Sequence, residues 1–209
     1  LPDGELQNIG EDKQGCVSRA YLNILETKLN YAYQTGLMLP ENRKWLEFHG
    51  YVRNGKIELS DAYIEILSGT TRQGNSLKAP VDTIRNHGVI PKWMLPQLNT
   101  FDEHHDPKRI SQTMFDLGQA FRARWPINYE QVWLADIEAA LKKDMPALGV
   151  YAWPAVVSGE YPRTEAPFTH CVMAFALPKT YIFDNYFDEY DGDFDKKLAS
   201  DYKMTDYGY

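Results

Sequence analysis

The sequence predicts an α+β fold in which a helical half packs against an antiparallel sheet half, with a cleft between them. Three observations carry this reading. Apolar residues recur at helical spacing through the first two thirds of the chain. After Pro146 the period becomes that of strands. No Gly/Ser- or Pro-rich linker and no internal repeat divides the 209 residues, so one domain over residues 1–209 is expected.

The segment Leu1 to Gly15 is polar and punctuated by Pro2, Gly4, Gly10 and Gly15, which predicts a loop. From Cys16 the residues Val17, Ala20, Tyr21, Ile24 and Leu25 fall on one helical face, and Gly36 supplies a stop. Cys16 is thereby placed in the first turn. A short helix is expected over Glu41 to His49, closed by Gly50. Ser60 is positioned to cap a helix over Asp61 to Leu67, with acidic residues in its first turn. Gly69 to Ser76 reads as a loop, and Ser76 as the cap of a helix running to about Asn86. Gly88-Val89-Ile90-Pro91 reads as an exit into extended chain. Amphipathic helices are expected over Ile110 to Arg124 and Tyr129 to Lys143. Strands are expected over Val150 to Val157, Thr169 to Leu177 and Thr180 to Phe183, followed by an acidic, tyrosine-rich tail from Asp188.

Composition narrows the function. A formal net charge of −7 argues against a phosphate-backbone binder, so no nucleic-acid partner is expected. No stretch approaches the roughly 18 apolar residues of a membrane span, and no leading signal segment is visible. With 44% hydrophobic and 13% aromatic residues the chain has the makings of a packed core, not of a disordered tail. Two cysteines are too few for a disulfide scaffold, which favours a reducing, cytoplasmic or virion-associated setting over disulfide-rich secretion. A first residue of Leu1 points to a processed form or an excerpt of a longer polypeptide.

Four residues suggest thiol chemistry. A helix N-terminus and an adjacent imidazolium both favour a thiolate, the reactive form of cysteine. Cys16 has the first of these; the alternative is a small buried hydrophobe. His170 opens the strand-like run Cys171-Val-Met-Ala-Phe-Ala, where it either faces a cleft as a general base or is a satisfied imidazole. Asn185 follows 15 residues later, the reach of a hairpin, and would fix the imidazole tautomer. Asp184 competes for that role, because adjacent strand residues point to opposite faces. Cys171 is expected to point away from the site as an inert thiol.

Other features are set aside. Asp188, Asp191, Asp193 and Asp195 lack the glycine and bidentate glutamate of a calcium loop, and read as a solvated acidic loop. His104-His105-Asp106 has no metal-motif partner and reads as a polar loop, so neither metal nor cofactor is expected. Trp45, Trp125 and Trp133 read as core.

In order, these segments resemble the papain-like cysteine peptidases, in a bacterial or phage-like branch without disulfides. Gln14-Gly15-Cys16-Val17-Ser18-Arg19-Ala20 is similar to the family's entry into its cysteine helix. Leu59-Ser60-Asp61-Ala62-Tyr63 resembles the start of the next helix. Gly74-Asn75-Ser76, then His87-Gly88-Val89-Ile90-Pro91 and Pro96, resemble the substrate loop, helix and exit. Thr169-His170-Cys171-Val172 resembles the histidine strand, and Tyr181-Ile182-Phe183-Asp184-Asn185-Tyr186-Phe187 the strand ending in Asn-Ser-Trp. The resemblance implies a papain-like fold and a peptidase with Cys16 as nucleophile, His170 as general base and acid, and Asn185 as orienter. Phe187 then stands for the shielding tryptophan. In the other alignment Asp184 is the orienter and Tyr186 the shield; spacing favours Asn185. The family's oxyanion glutamine lies six residues before the cysteine, where this chain has Gly10, leaving Gln7 and Gln14 as candidates. The backbone of Gly74 and Asn75 would pair with an extended peptide or protein substrate.

Two rival readings remain. One is a papain-fold module without strong activity, serving a larger assembly such as a phage particle or surface protein. The other is a transglutaminase- or amidase-like Cys-His-Asp enzyme using Asp184.

Overall fold

The computed structural model describes residues 2, 6–150, 157–164, 168–176, 181–188 and 193–209. The helical half contains α1 (Cys16–Gln34), α2 (Pro40–Phe48), α3 (Asp61–Leu67), α4 (Lys78–His87), α5 (Phe101–His104) and α6 (Gln112–Arg124). The small hairpin β1 (Val52–Arg53) and β2 (Lys56–Ile57) lies among them. The second half holds β3 (Val132–Trp133), α7 (Ile137–Leu141), β4 (Ala147–Val150), β5 (His170–Ala176), β6 (Tyr181–Asp188), β7 (Asp193–Lys197) and β8 (Met204–Gly208). Its six strands form one sheet in the order β3-β8-β4-β5-β6-β7, and every pairing is antiparallel. The α+β class follows from this. None of the described helices is long and apolar enough to cross a membrane.

Local chemistry explains the elements that sequence placed well. The Ser60 hydroxyl accepts from the Tyr63 N–H and caps α3. Gly88, at φ 71°, turns the chain out of α4, in a conformation that L side chains rarely adopt. The backbone there also passes so close to Gly118 that a Cβ would stand 2.0 Å from its carbonyl oxygen.

Alternation along the strands sorts the core into two clusters. Ala147 and Cys171 face α1, where Val17, Ala20, Tyr21 and Leu29 are buried. Leu148, Val150, Val172, Ala174 and Ile182 cover the other face with Leu198 and Met204. Fully burying a side chain such as Leu22 or Ile64 stabilises by roughly 1.5–3 kcal/mol, so α1 is fixed mainly by its packing.

Several expectations need correction. Residues 129–143 are not one helix but β3, a 3₁₀ turn over Leu134–Asp136 and α7, because β3 pairs with β8. Trp133 therefore sits on an edge strand and is 54% exposed, not core, whereas Trp45 packs against Tyr51, Phe121 and Trp125. The strand expected from Val150 begins earlier, at Ala147, and residues 151–156 of that expectation lie outside the described residues. The acidic tail is in part strand: Asp193–Lys197 pairs with β6, and Met204–Gly208 inserts beside β4. Asp191 lies outside the described residues. His104 is buried, not part of a polar loop, because Glu65 accepts from its ring and the Leu98 N–H donates to its Nδ1.

Candidate active site

Cys16 is the first residue of α1. No side chain caps this helix, so the first-turn N–H groups lack intrahelical partners and favour negative charge at the sulfur. The chain reaches it through Gln14, held at φ 55° while its N–H donates to Asp12 Oδ1 at 2.7 Å. Gly15 follows with no room for a side chain, since a Cβ there would stand 1.9 Å from Glu65 Oε1. Beneath it Arg19 pairs with Glu65 at 3.2 Å and with Asp61 at 3.0 Å. Burial would raise the Glu65 carboxyl, but Arg19, His104 and His105 together hold it well below the carboxylate range.

His170 is the first residue of β5 and 8% exposed. Its Nε2 lies 2.6 Å from Asp184 Oδ1 on β6, and the Cys16 side chain is among the neighbours that raise its pKa. Burial alone would lower the imidazole pKa, yet the Asp184 carboxylate and the Cys16 contact raise it to about 10. Burial likewise opposes ionisation of Asp184, but His170 and Lys196 together hold its carboxyl below the ordinary value.

The structure brings Cys16, His170 and Asp184 together, with Asp184 instead of Asn185 against the imidazole. The physical reason is strand alternation. Met173 faces Phe183 across β5 and β6, and that register puts His170 and Asp184 on one face and Asn185 on the other. The Asn185 side chain accepts from Asn23 Nδ2 of α1 at 3.0 Å. The Tyr186 ring, the shield of the other alignment, lies against His170, 5.1 Å between centroids. Phe187 belongs to β6, but its side chain lies outside the described residues.

Gln7 is buried, and its Nε2 donates to Tyr186 Oη at 2.6 Å and to Asp12 Oδ1 at 3.2 Å. Its backbone N–H reaches the Asn185 carbonyl at 3.2 Å, tying the entry loop to β6. Buried Lys13 donates to the carbonyls of Ile9, Glu11 and Asn99 and gives that loop its shape. Gln14 stands two residues before Cys16, half-buried. The N–H and carbonyl of Gly74 are both engaged with Thr71, so they are not poised for a substrate strand as expected. Asn75 instead pins its own loop through Ser68 and Thr70.

Sequence reasoning missed Lys196. Its Nζ is 3.1 Å from Asp184 Oδ2 and donates to the Tyr186 carbonyl at 2.6 Å. A lysine inside an acidic run gave no signal of burial. Cys171 is buried on the α1 side of the sheet, and burial pushes its thiol well above the usual value, as an inert thiol requires.

No protein-family model and no curated protein matches the sequence. Among solved structures the chain is similar to xylellain, a cysteine protease from Xylella fastidiosa, at 12% identity and a TM-score of 0.62, covering 100% of this chain and 82% of that one. It is similar to digestive procathepsin L 3 of the Tenebrio molitor larval midgut at 11% identity and a TM-score of 0.58, over 97% of this chain and 62% of the other. A clostridial cysteine protease after propeptide cleavage gives 13% identity and a TM-score of 0.60, over 100% and 54%. The chain thus spans less than two thirds of the latter two. What is shared at these identities is the fold.

Proposed function

We propose that this chain, whose fold is papain-like, is a cysteine peptidase that cleaves peptide bonds through an acyl-enzyme. The observation that carries the proposal is the pairing of His170 with the Asp184 carboxylate at 2.6 Å, with Cys16 at the N-terminus of α1 among the groups that raise the imidazole pKa.

In this reading the Cys16 thiolate attacks the scissile carbonyl carbon and the carbonyl π pair moves to oxygen. The Cys16 backbone N–H holds that oxyanion together with the Gln7 amide. Gln7 is preferred to Gln14 because its amide sits on Tyr186, the ring that covers His170. Both Gln7 N–H groups are engaged in this structure, so the longer contact, to Asp12, is the one it gives up. Imidazolium His170 donates its Nδ1 proton to the leaving amine as the C–N bond breaks. His170 then takes a proton from water, which attacks the thioester and frees Cys16.

Asp184 in place of an amide supports a second reading, a Cys-His-Asp enzyme acting on side-chain amides, with the same thioester. Ammonia release from glutamine- or asparagine-containing peptides, against new peptide termini, separates the two.

The test is alkylation of the native protein by iodoacetamide between pH 5 and 9, followed by mass spectrometry at Cys16 and Cys171, beside hydrolysis of a fluorogenic casein. Labelling of Cys16 already at pH 5–6, lost in His170→Ala, with hydrolysis abolished by Cys16→Ser, is expected. Labelling that rises only near pH 8.5, the range of an ordinary thiol, with no hydrolysis, overturns the reading. It would leave a papain-like scaffold without peptidase chemistry.

A further inference from the structure

We infer that Lys196 is a positioning residue whose ammonium offsets the Asp184 charge, so that the carboxylate–ammonium pair presents to His170 what a neutral amide would present alone. The inference rests on the reading of Cys16 and His170 as a thiolate–imidazolium pair.

The geometry is a row across three neighbouring strands. His170 on β5, Asp184 on β6 and Lys196 on β7 share one face of the sheet, by the registers Met173–Phe183 and Ile182–Lys196. Asp184 Oδ1 meets His170 Nε2 at 2.6 Å, and Oδ2 meets Lys196 Nζ at 3.1 Å. Lys196 is 1% exposed, and a lysine is rarely so buried unless it is paired. Its bond to the Tyr186 carbonyl, 2.6 Å, fixes the ammonium in place.

The chemistry explains why such a partner is needed. An amide would accept the Nε2–H without adding charge. A carboxylate adds a full negative charge in a buried site, where it stabilises the imidazolium as a whole. The Nδ1 proton of that imidazolium must leave for the amine during acylation, so an imidazole that is too basic is a poor acid. Among the described residues, ionisable groups facing His170 include Cys16 from α1, Asp184 and Tyr186 from β6, and Lys196 from β7 behind Asp184. Asp12 of the entry loop reaches it through Tyr186, and Cys171 flanks it on β5. Burial holds the Tyr186 hydroxyl and the Cys171 thiol neutral. With Cys16 as thiolate, the row Cys16, His170, Asp184, Lys196 alternates in sign and sums to zero.

The test compares the pH profile of Cys16 alkylation by iodoacetamide in the full chain, in Lys196→Met and in Asp184→Asn/Lys196→Met. Loss of the ammonium alone is expected to move the upper inflection, where His170 gives up its proton, by about one unit to higher pH. Hydrolysis of the fluorogenic casein should fall roughly tenfold in kcat with little change in KM. The double variant, with a neutral amide and no ammonium, should return the inflection to within about 0.3 units of the original. An unchanged profile in Lys196→Met overturns the inference, and so does a double variant no nearer the original than the single one. If Lys196→Met does not fold, the double variant decides: a profile matching the original supports the inference, and a shifted one overturns it. A parent protein with no alkylation below pH 7 overturns both this inference and the reading beneath it, and is recognised in the parent alone.

Discussion

Arg19 and Glu65 form a fully buried ion pair 3.2 Å apart directly beneath the N-terminus of α1. Glu65 also receives the ring of His104 at 2.9 Å and blocks any side chain at Gly15, so the pair is the floor on which Cys16 stands. Removing one partner of a buried pair strands the other charge and costs about 3–5 kcal/mol. Glu65→Gln is expected to lower unfolding stability by about that amount. Urea denaturation measures it, with Cys16 alkylation of the surviving folded fraction as the readout of position.

Asp184 and Asn185 make different predictions for catalysis. On the proposed peptidase reading, Asp184→Ala removes the carboxylate held against His170 Nε2 and should lower peptide hydrolysis by about 10²–10⁴ in kcat. Asn185→Ala removes the contact to Asn23 and should cost less than about tenfold, with a stability loss near 1 kcal/mol. Steady-state kinetics of the two variants side by side decide the assignment.

The buried imidazole makes stability depend on pH in a defined direction. The pKa of His170 is raised from 6.5 to about 10, so its contribution is complete below 6.5 and is lost as the pH climbs through about 10. Asp184 is depressed, so its contribution is present above 3.8 and is lost as the pH falls through its lower folded value. Between pH 7 and 10 the protein should lose at least about 1 kcal/mol more stability than His170→Ala does. Thermal denaturation of both proteins across that range gives the difference.

Glu65, His104 and His105 bring three metal-ligating atoms within 4.8 Å of one another, yet the chemistry argues against a cation. The His104 Nδ1 accepts the Leu98 N–H, which leaves its proton on Nε2, facing Glu65. Burial lowers the His104 pKa, keeping the ring neutral, and the Arg19 guanidinium already balances the carboxylate. Dialysis against EDTA should leave the melting temperature unchanged to within about a degree, whereas His104→Ala should cost about 2–3 kcal/mol through an unpaired buried Glu65 contact. A metal-dependent melting temperature would show the opposite.

How far the sequence could be read follows from which forces are local. Caps and glycines act within one turn, so α1, α3 and α4 were placed to within a residue or two, and Cys16 fell at the helix start. Cys16 and His170 are both legible because each opens its element. The choice between Asp184 and Asn185 did not, because the phase of a strand is set by its neighbour, and nothing local tells which face is which. Lys196 was hidden for a related reason: only the pairing of β7 with β6 turns a charged residue of an acidic stretch inward. The segment 129–143 carried a helical pattern that a distant strand, β8, overrode. Gln7 lies nine residues before Cys16, and only the fold of the Lys13-centred loop brings it back to the site.

The two adjacent residues of β6 that face opposite ways have a consequence for how this site can change. Asp184 supplies an anion to the imidazole, while Asn185, through Asn23, latches the strand to α1. A shift of one residue in the pairing of β5 and β6 would exchange them, placing an uncharged amide under the ring and a carboxylate against the helix. Strand register here is thus part of the chemical formula of the site. A one-residue insertion or deletion within β6 that moved its pairing with β5 would rewrite that formula with every site side chain still present in the sequence.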